Sequence, residues 1–187
     1  MVAVMPYEFE TQLSIGQQYE AELDAYFSNF FTVLDVPLAV QKLGIDRVHV
    51  RNRHPKRRTT VEYKTDIKAG DTGFFFIEIL SNSKTGAAGW AWTSTAQEIV
   101  FYVPKFKRAG VVSTLSLRAK IYEWQEKYRT VQCQNADYYS KGVLVPWQEI
   151  GDLAYRRFTV TPNPSESSRG RNPVTQIVEL GDTTDDS

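Results

Sequence analysis

An amphipathic segment near the N-terminus places the strongest constraint on how this 187-residue chain can fold. At about 100° per residue, its apolar and aromatic side chains fall within an arc of roughly 160°. Those side chains are Ile15, Tyr19, Leu23, Tyr26, Phe27, Phe30 and Phe31. The pattern predicts a helix from about Ser14, a suitable N-cap residue, to Phe31. Such a helix has to bury its wide aromatic face against other elements of the fold.

Runs of β-branched and aromatic residues follow the helix and predict strands. These runs are Phe31–Val36, Asp46–Val50, Thr59–Thr65, Phe74–Leu80, Glu98–Val103 and Gly142–Val145. The second and third runs flank a basic segment and are expected to form a hairpin. Further helices are expected at Thr93–Gln97, at Thr114–Arg129, and from Pro146 to about Arg157. This order predicts a mixed α/β (α+β) fold, in which helices pack on a central mixed sheet.

The composition favours one globular domain followed by an acidic tail. Apolar residues make up 42% of the chain and charged residues 24%, values typical of a folded domain. Residues 161–187 carry five acidic and two basic side chains, a net charge of −3, together with three prolines. We therefore expect a domain over 1–160 and a flexible tail over 161–187, in which Val174–Leu180 could dock as a strand.

Several classes of protein are excluded or disfavoured by the same composition. No apolar run is long enough to span a bilayer, and the first residues lack the features of a signal peptide. The single cysteine, Cys133, excludes an intramolecular disulfide and a cysteine-rich zinc site. We therefore expect a cytoplasmic protein without a membrane partner. The zero net charge excludes a globally basic nucleic-acid binder but leaves local basic patches open.

Asp46, Glu62 and Lys64 are the candidate catalytic residues. Residues i and i+2 of a strand face the same side, so Glu62 and Lys64 are neighbours, and the hairpin can bring Asp46 near them. Two carboxylates and a backbone carbonyl, that of Tyr63, make a hard-oxygen site suited to Mg²⁺ or Mn²⁺. A neighbouring lysine can orient a water or neutralise a phosphate oxygen. The alternative is a solvated Glu–Lys pair on an outward strand face.

Glu20 is a carboxylate inside the aromatic arc of the first helix. This position is costly unless the carboxylate is paired or bound to a metal ion, although a side chain at the margin of the arc could also reach water.

A series of short motifs resembles the PD-(D/E)xK nuclease superfamily. The series begins with Gly16-x-x-x-Glu20 in the first helix, Asp46 at the start of a strand, and Val61-Glu-Tyr-Lys64 on the next strand. It continues with Thr72-Gly-Phe-Phe-Phe-Ile-Glu78 and Gly89-Trp-Ala-Trp-Thr-Ser94, and covers about residues 12–105. The order is similar to that of small phage and bacterial nuclease-like proteins. The proline that the family has before the aspartate is absent, and Gly44-Ile45 stand there instead.

The resemblance implies a restriction-endonuclease-like fold and a metal-dependent nuclease that acts on DNA. It implies that Asp46 and Glu62 bind Mg²⁺ or Mn²⁺, that Lys64 assists the attacking water, and that Glu20 is an accessory acidic residue. Dimers are common in this superfamily, so a homodimer is a further expectation.

Five basic side chains lie between the two strands of the predicted hairpin. They are Arg51, Arg53, Lys56, Arg57 and Arg58. Clustered cations at a hairpin tip would bind the phosphates of DNA with salt-dependent affinity. The alternative is an ordinary solvated hairpin whose charges protect a sheet edge.

Two functions of other classes remain open from the sequence. One is a non-catalytic nucleic-acid-binding protein on the same fold. The other is a structural or regulatory protein whose acidic tail docks a partner.

Overall fold

The computed structural model describes residues 9–52 and 54–161, and the side chains of residues 15–52 and 57–161. Within these residues six α-helices and ten strands follow one another along the chain. The helices are α1 Phe9–Phe27, α2 Leu38–Gln41, α3 Ala69–Thr72, α4 Trp90–Thr93, α5 Thr114–Lys127 and α6 Trp147–Leu153. The strands are β1 Phe31–Asp35, β2 Arg47–Arg51, β3 His54–Thr65, β4 Phe74–Asn82, β5 Ala87–Ala88, β6 Glu98–Val103, β7 Arg108–Ser113, β8 Thr130–Gln134, β9 Tyr139–Pro146 and β10 Arg156–Thr159.

The strands form two sheets. Sheet A has the order β1-β2-β3-β6-β7-β10, and sheet B has the order β5-β4-β9-β8. Neighbouring strands are antiparallel except β3 and β6, which run parallel with Glu62 beside Ile99 and Lys64 beside Phe101. The mixed α/β class expected from the sequence is therefore confirmed, with two sheets in place of a single central one.

Sheet A buries apolar side chains on both of its faces. On one face, Leu23 of α1 belongs to the same buried cluster as Tyr63 of β3. On the other face, Phe101 of β6 belongs to a second cluster with Phe75 of β4 and Trp124 of α5. Because both faces are covered, the central strand β6 has five buried residues out of six, as expected for a doubly buried strand.

The predicted first helix and hairpin are both present, with shifted boundaries. The helix α1 ends at Phe27, so Ser14 lies inside it rather than at its N-cap and Phe31 begins β1. The strands β2 and β3 pair as predicted, but β3 already begins at His54. Most of the basic segment is therefore strand rather than the tip of a hairpin.

Other elements were missed or misplaced by the sequence pattern. The short strands β7, β8 and β10 were not predicted, and β10 occupies the end of the helix expected from Pro146. The helix expected at Thr93–Gln97 is found at Trp90–Thr93 instead. These short segments have weak local patterns, and their conformation depends on pairing with strands distant in the sequence.

The acidic tail predicted over 161–187, with Val174–Leu180 inside it, lies outside the described residues except for Thr161. Among the helices of the described residues, none combines the length and the apolar character needed to cross a membrane.

His49 is a buried polar residue on β2 of sheet A, in contact with the aromatic rings around α1. It is 3% exposed, and its ring lies 4.5 Å from that of Phe27 and 5.2 Å from that of Phe31. Its Nε2 lies 3.0 Å from the Tyr63 hydroxyl, which in turn donates to Asp24. Burial in the first place, and the positive charges of Arg47 and Arg156 in the second, lower the pKa of His49 from 6.5 to about 4.

This lowered pKa predicts a loss of stability in acid. Between the two pKa values the unfolded chain binds a proton that the folded protein does not, so the free energy of unfolding falls as the pH drops below 6.5. From pH 7 to pH 5 the effect of this one group is up to about 2 kcal/mol. We expect His49→Gln to show a smaller fall than the wild type in urea unfolding at the two pH values. An equal fall in both proteins would show that His49 is not the responsible group.

Candidate functional site

In the second half of β3, the two faces of the strand carry different kinds of side chain. Val61 and Tyr63 point towards α1 and are buried in the aromatic cluster around it. Glu62 and Lys64 point to the opposite face, as the strand alternation predicts. The Lys64 amine lies 2.5 Å from Glu62 Oε1, so the predicted neighbouring pair is present.

Glu62 is an unusual carboxylate because it is almost completely buried. The residue is 3% exposed, and one of its two oxygens is bound by Lys64. The other oxygen, Oε2, has no hydrogen-bond partner among the described residues. A buried carboxylate oxygen without a protein partner is costly, so Oε2 is available to a cation or to a hydrogen-bond donor.

Asp46 is attached directly to the backbone of β3. Its N–H donates to the Val61 carbonyl at 2.8 Å, and its Oδ2 accepts a hydrogen bond from the Tyr63 N–H at 2.7 Å. In an extended strand the N–H and the C=O of one residue point to the same side, so the Tyr63 carbonyl is directed to the Asp46 side of β3. Asp46 and the predicted ligand Tyr63 are therefore adjacent.

Gly44 sets the path of the chain into Asp46. It has a φ of +73°, and its carbonyl accepts a hydrogen bond of 3.1 Å from the Ser94 hydroxyl. A Cβ at this position would lie 2.8 Å from the Ser94 Cα. Only glycine suits both the left-handed backbone and this close approach.

Arg47, which was not predicted as a site residue, connects the carboxylates of α1 to the backbone at Asp46. Its guanidinium lies 2.9 Å from Asp24 Oδ2 and 3.3 Å from Glu20 Oε2, and it donates to the Asp46 carbonyl at 2.8 Å. It therefore joins α1 to the start of β2. A basic residue directly after a candidate catalytic aspartate, with carboxylates on the preceding helix, is the signal that could have revealed it.

Glu20 lies close to Asp46 but not on the face of Glu62. Burial first, and the negative charge of Asp46 second, raise the pKa of Glu20, while Arg47 opposes the shift. Glu20 belongs to α1, which packs on the Tyr63 face of β3. Of the four predicted catalytic residues, Glu62 is thus paired with Lys64, and Glu20 lies near Asp46.

The surroundings of Lys64 include two residues from the segment that connects β3 to β6. The Lys64 amine lies 5.0 Å from the centre of the Trp90 ring, a cation–π arrangement. The Trp90 N–H donates to Glu78 Oε1 at 3.4 Å. Burial raises the pKa of Glu78, and the Trp90 hydrogen bond and the charge of Lys64 oppose this shift. Lys64 is therefore held between a carboxylate and an aromatic ring.

The predicted metal ligands do not form a crowded acidic centre. Among the side chains of residues 15–52 and 57–161, no group of three or more from His, Cys, Asp and Glu could hold a metal ion. A cation at this position would have to use the carboxylates of Asp46 and Glu62 together with the Tyr63 carbonyl.

Three of the five predicted nucleic-acid residues have described side chains. Arg51, Arg57 and Arg58 are exposed, whereas the side chains of Arg53 and Lys56 lie outside the described residues. On β3, Arg58 lies four positions before Glu62 and six before Lys64, about 13 and 20 Å along the strand. Arg57 and Arg58 thus lie in the first half of β3, and the candidate catalytic pair lies in the second half.

Comparisons of this chain with family models, with curated proteins and with solved structures find no match.

The close approach at Gly44 predicts a large and specific effect of Gly44→Ala. The variant combines the strain of a left-handed backbone with overlap on Ser94, and we expect a loss of about 2–4 kcal/mol in the free energy of unfolding. Gly86→Ala is the matched control, because Gly86 has a φ of +72° and no atom within 4 Å of the added Cβ. It should lose only about 1 kcal/mol in the same urea titration. Equal losses would show that the Ser94 contact is unimportant.

Proposed function

We propose that this protein is a metal-dependent nuclease that hydrolyses phosphodiester bonds, with DNA as its substrate. The observation that carries the proposal is the buried carboxylate of Glu62, which has one oxygen on the Lys64 amine and the other without a protein partner. A cation bound to Oε2 would remove the cost of this buried oxygen. The motifs shared with the PD-(D/E)xK superfamily support the same assignment.

The chemistry of the neighbouring groups fits Mg²⁺ or Mn²⁺. Asp46, Glu62 and the Tyr63 carbonyl offer only oxygen ligands, which these hard cations prefer. Mg²⁺ usually keeps several waters and needs only one or two carboxylates from a protein. A set of two carboxylates and one carbonyl is therefore sufficient.

Each residue has a role that its surroundings support. The bound cation supplies Lewis acidity and lowers the pKa of a coordinated water. Asp46 and Glu62 would hold the cation, and the Lys64 ammonium, oriented by Glu62 and Trp90, would provide a fixed positive charge for a phosphate oxygen. Glu20 adds a half-buried carboxyl close to Asp46, as an accessory acidic residue.

A non-catalytic nucleic-acid-binding protein is the second candidate. The exposed arginines Arg51, Arg57 and Arg58 favour it, because none of them forms an ion pair with a described side chain. Such arginines can bind phosphates without any catalytic site.

Cleavage of plasmid and of single-stranded circular DNA separates the two candidates. With Mg²⁺ or Mn²⁺ we expect cleavage by the wild type, none in EDTA, and a loss of at least about a hundredfold in Lys64→Ala. The control is Lys84→Ala, which removes an exposed lysine paired with Asp137 and should cut at the wild-type rate. Binding without cleavage would support the second candidate. Equal rates for both variants would indicate a contaminating nuclease and contradict the assignment of Lys64.

Melting curves with and without metal test the role of Asp46. Asp46→Asn keeps an oxygen that can accept from the Tyr63 N–H, so its stability without metal should stay within about 1 kcal/mol of the wild type. At ten times the dissociation constant, Mg²⁺ should stabilise the wild type by about 1.4 kcal/mol, and the variant should lose most of this gain. Asp71→Asn, which alters an exposed carboxylate paired with Lys105, should keep the gain. A full metal-induced gain in Asp46→Asn would remove Asp46 from the site.

A further inference from the structure

The two edge strands of sheet A approach each other around the C-terminal end of α1. Phe158 of β10 stacks on Tyr26 of α1, with ring centres 4.4 Å apart. The guanidinium of Arg156, two residues earlier on the same face of β10, lies 5.9 Å from the centre of the Phe31 ring in β1. Four strands separate β1 from β10 in the sheet order, so the sheet curls strongly.

This curl brings together three side chains from distant parts of the sequence, Arg51, Tyr155 and Arg156, here called the edge cluster. Arg51 is the partner of Phe31 in the β1–β2 register and therefore lies on the same face as the ring that Arg156 covers. Tyr155 directly precedes β10, and its N–H donates to the Val111 carbonyl at 3.1 Å. Tyr155 is the chain neighbour of Arg156, and Arg156 and Arg51 both lie beside Phe31. Burial first, and Glu98 second, raise the pKa of Tyr155, and the charges of Arg156 and Arg51 oppose this shift.

The edge cluster has the exposure and the charge of a binding surface. Tyr155 is 53% exposed, although it is a large aromatic residue. Arg51 is exposed and Arg156 is partly exposed, and neither forms an ion pair with a described side chain. Glu98 is the acidic residue beside them, which leaves two positive charges against one negative charge around an accessible ring.

We propose that the edge cluster binds single-stranded nucleic acid, with a base stacked on Tyr155 and phosphates held by Arg51 and Arg156. An exposed aromatic ring between cations is the usual platform for unpaired bases, because every base has a face that can stack. The bases of a duplex are already stacked on one another and cannot reach the ring. This inference rests on the proposed function only in taking nucleic acid as the ligand.

A short segment of single strand can span the distance from the edge cluster to Asp46. Arg51 ends β2 and Asp46 immediately precedes its first residue, so they are five residues apart, about 17 Å along an extended chain. At a rise of about 3.4 Å per nucleotide, this distance corresponds to roughly five nucleotides of a helical strand. The nuclease would thus act on DNA that has a single-stranded segment near the scissile bond.

Fluorescence anisotropy with a short labelled oligonucleotide in EDTA tests the inference without cleavage. For the single strand we expect Tyr155→Ala to weaken binding about tenfold and Tyr155→Phe to stay within about twofold of the wild type, because the ring is kept. Binding of the matched duplex should change by less than about twofold in Tyr155→Ala. A melting curve of each variant checks that it is folded.

Two arginine variants provide a matched comparison on one strand. Arg156→Gln should weaken single-strand binding and make its salt dependence shallower by about 0.7 for each lost phosphate contact. Arg157→Gln removes the same charge from the next residue, whose exposed side chain lies beside Gly151 of α6, and should bind like the wild type. Arg51→Gln is an independent test on β2 and should behave like Arg156→Gln.

Three results would overturn the inference. The first is an equal loss of single-strand affinity in Tyr155→Phe and Tyr155→Ala. The second is an equal loss of single-strand affinity in Arg157→Gln and Arg156→Gln. The third is tighter single-strand binding by Arg156→Gln than by the wild type. The last would mean that the acidic residues 161–187, which follow β10 directly, occupy the edge cluster instead.

The inference and the proposed function can fail separately. If the oligonucleotide binds with the expected pattern but plasmid is not cut, the binding role of the edge cluster is supported and the nuclease assignment is wrong. If plasmid is cut but Tyr155→Ala binds the single strand like the wild type, the nuclease assignment is supported and the binding role of the edge cluster is wrong.

Discussion

The burial of β3 on both faces is the constraint on which the rest of the structure depends. Strand alternation sends Val61 and Tyr63 into the aromatic core around α1, and sends Glu62 and Lys64 into the opposite layer. The apolar pair and the charged pair are thereby separated by the thickness of one sheet. Because the second layer is also closed, Glu62 keeps almost no contact with water. Its charge has to be balanced locally, and Lys64 provides the first part of that balance.

On the other face, Arg47 balances a second set of carboxylates. Its guanidinium engages Asp24 and Glu20 on α1 and the carbonyl of Asp46, so one side chain orients the helix relative to the start of β2. A partly buried network of this kind carries a desolvation cost, and its main benefit is a defined geometry. Arg47 also compensates Glu20 and Asp24, so a cation proposed at Asp46 and Glu62 would not face four uncompensated carboxylates.

The connection from β3 to β6 completes the environment of Lys64. Two parallel neighbours in one sheet need a long connection, and here the chain uses it to contribute strands to sheet B before returning. On this path it brings Trp90 to the Lys64 amine and Glu78 to the Trp90 N–H. The first contact sets an aromatic face beside the Lys64 amine, and the second holds the Trp90 backbone in place.

Local patterns in the sequence were enough to predict the first helix, the β2–β3 hairpin, β6 and the Glu62–Lys64 pair. Periods of 3.6 and 2 residues determine which side chains share a face of a helix or a strand. They also identified Asp46 as a residue that would approach β3. They could not reveal that Glu20 and Glu62 lie on opposite faces, that Arg47 joins the helix to the sheet, or that Arg51 and Arg156 lie beside the same Phe31 ring. Those contacts join residues up to about a hundred positions apart. They exist only because sheet A curls around α1 as the two apolar clusters are buried. The free energy of that burial is summed over the whole domain and is not set by any one segment.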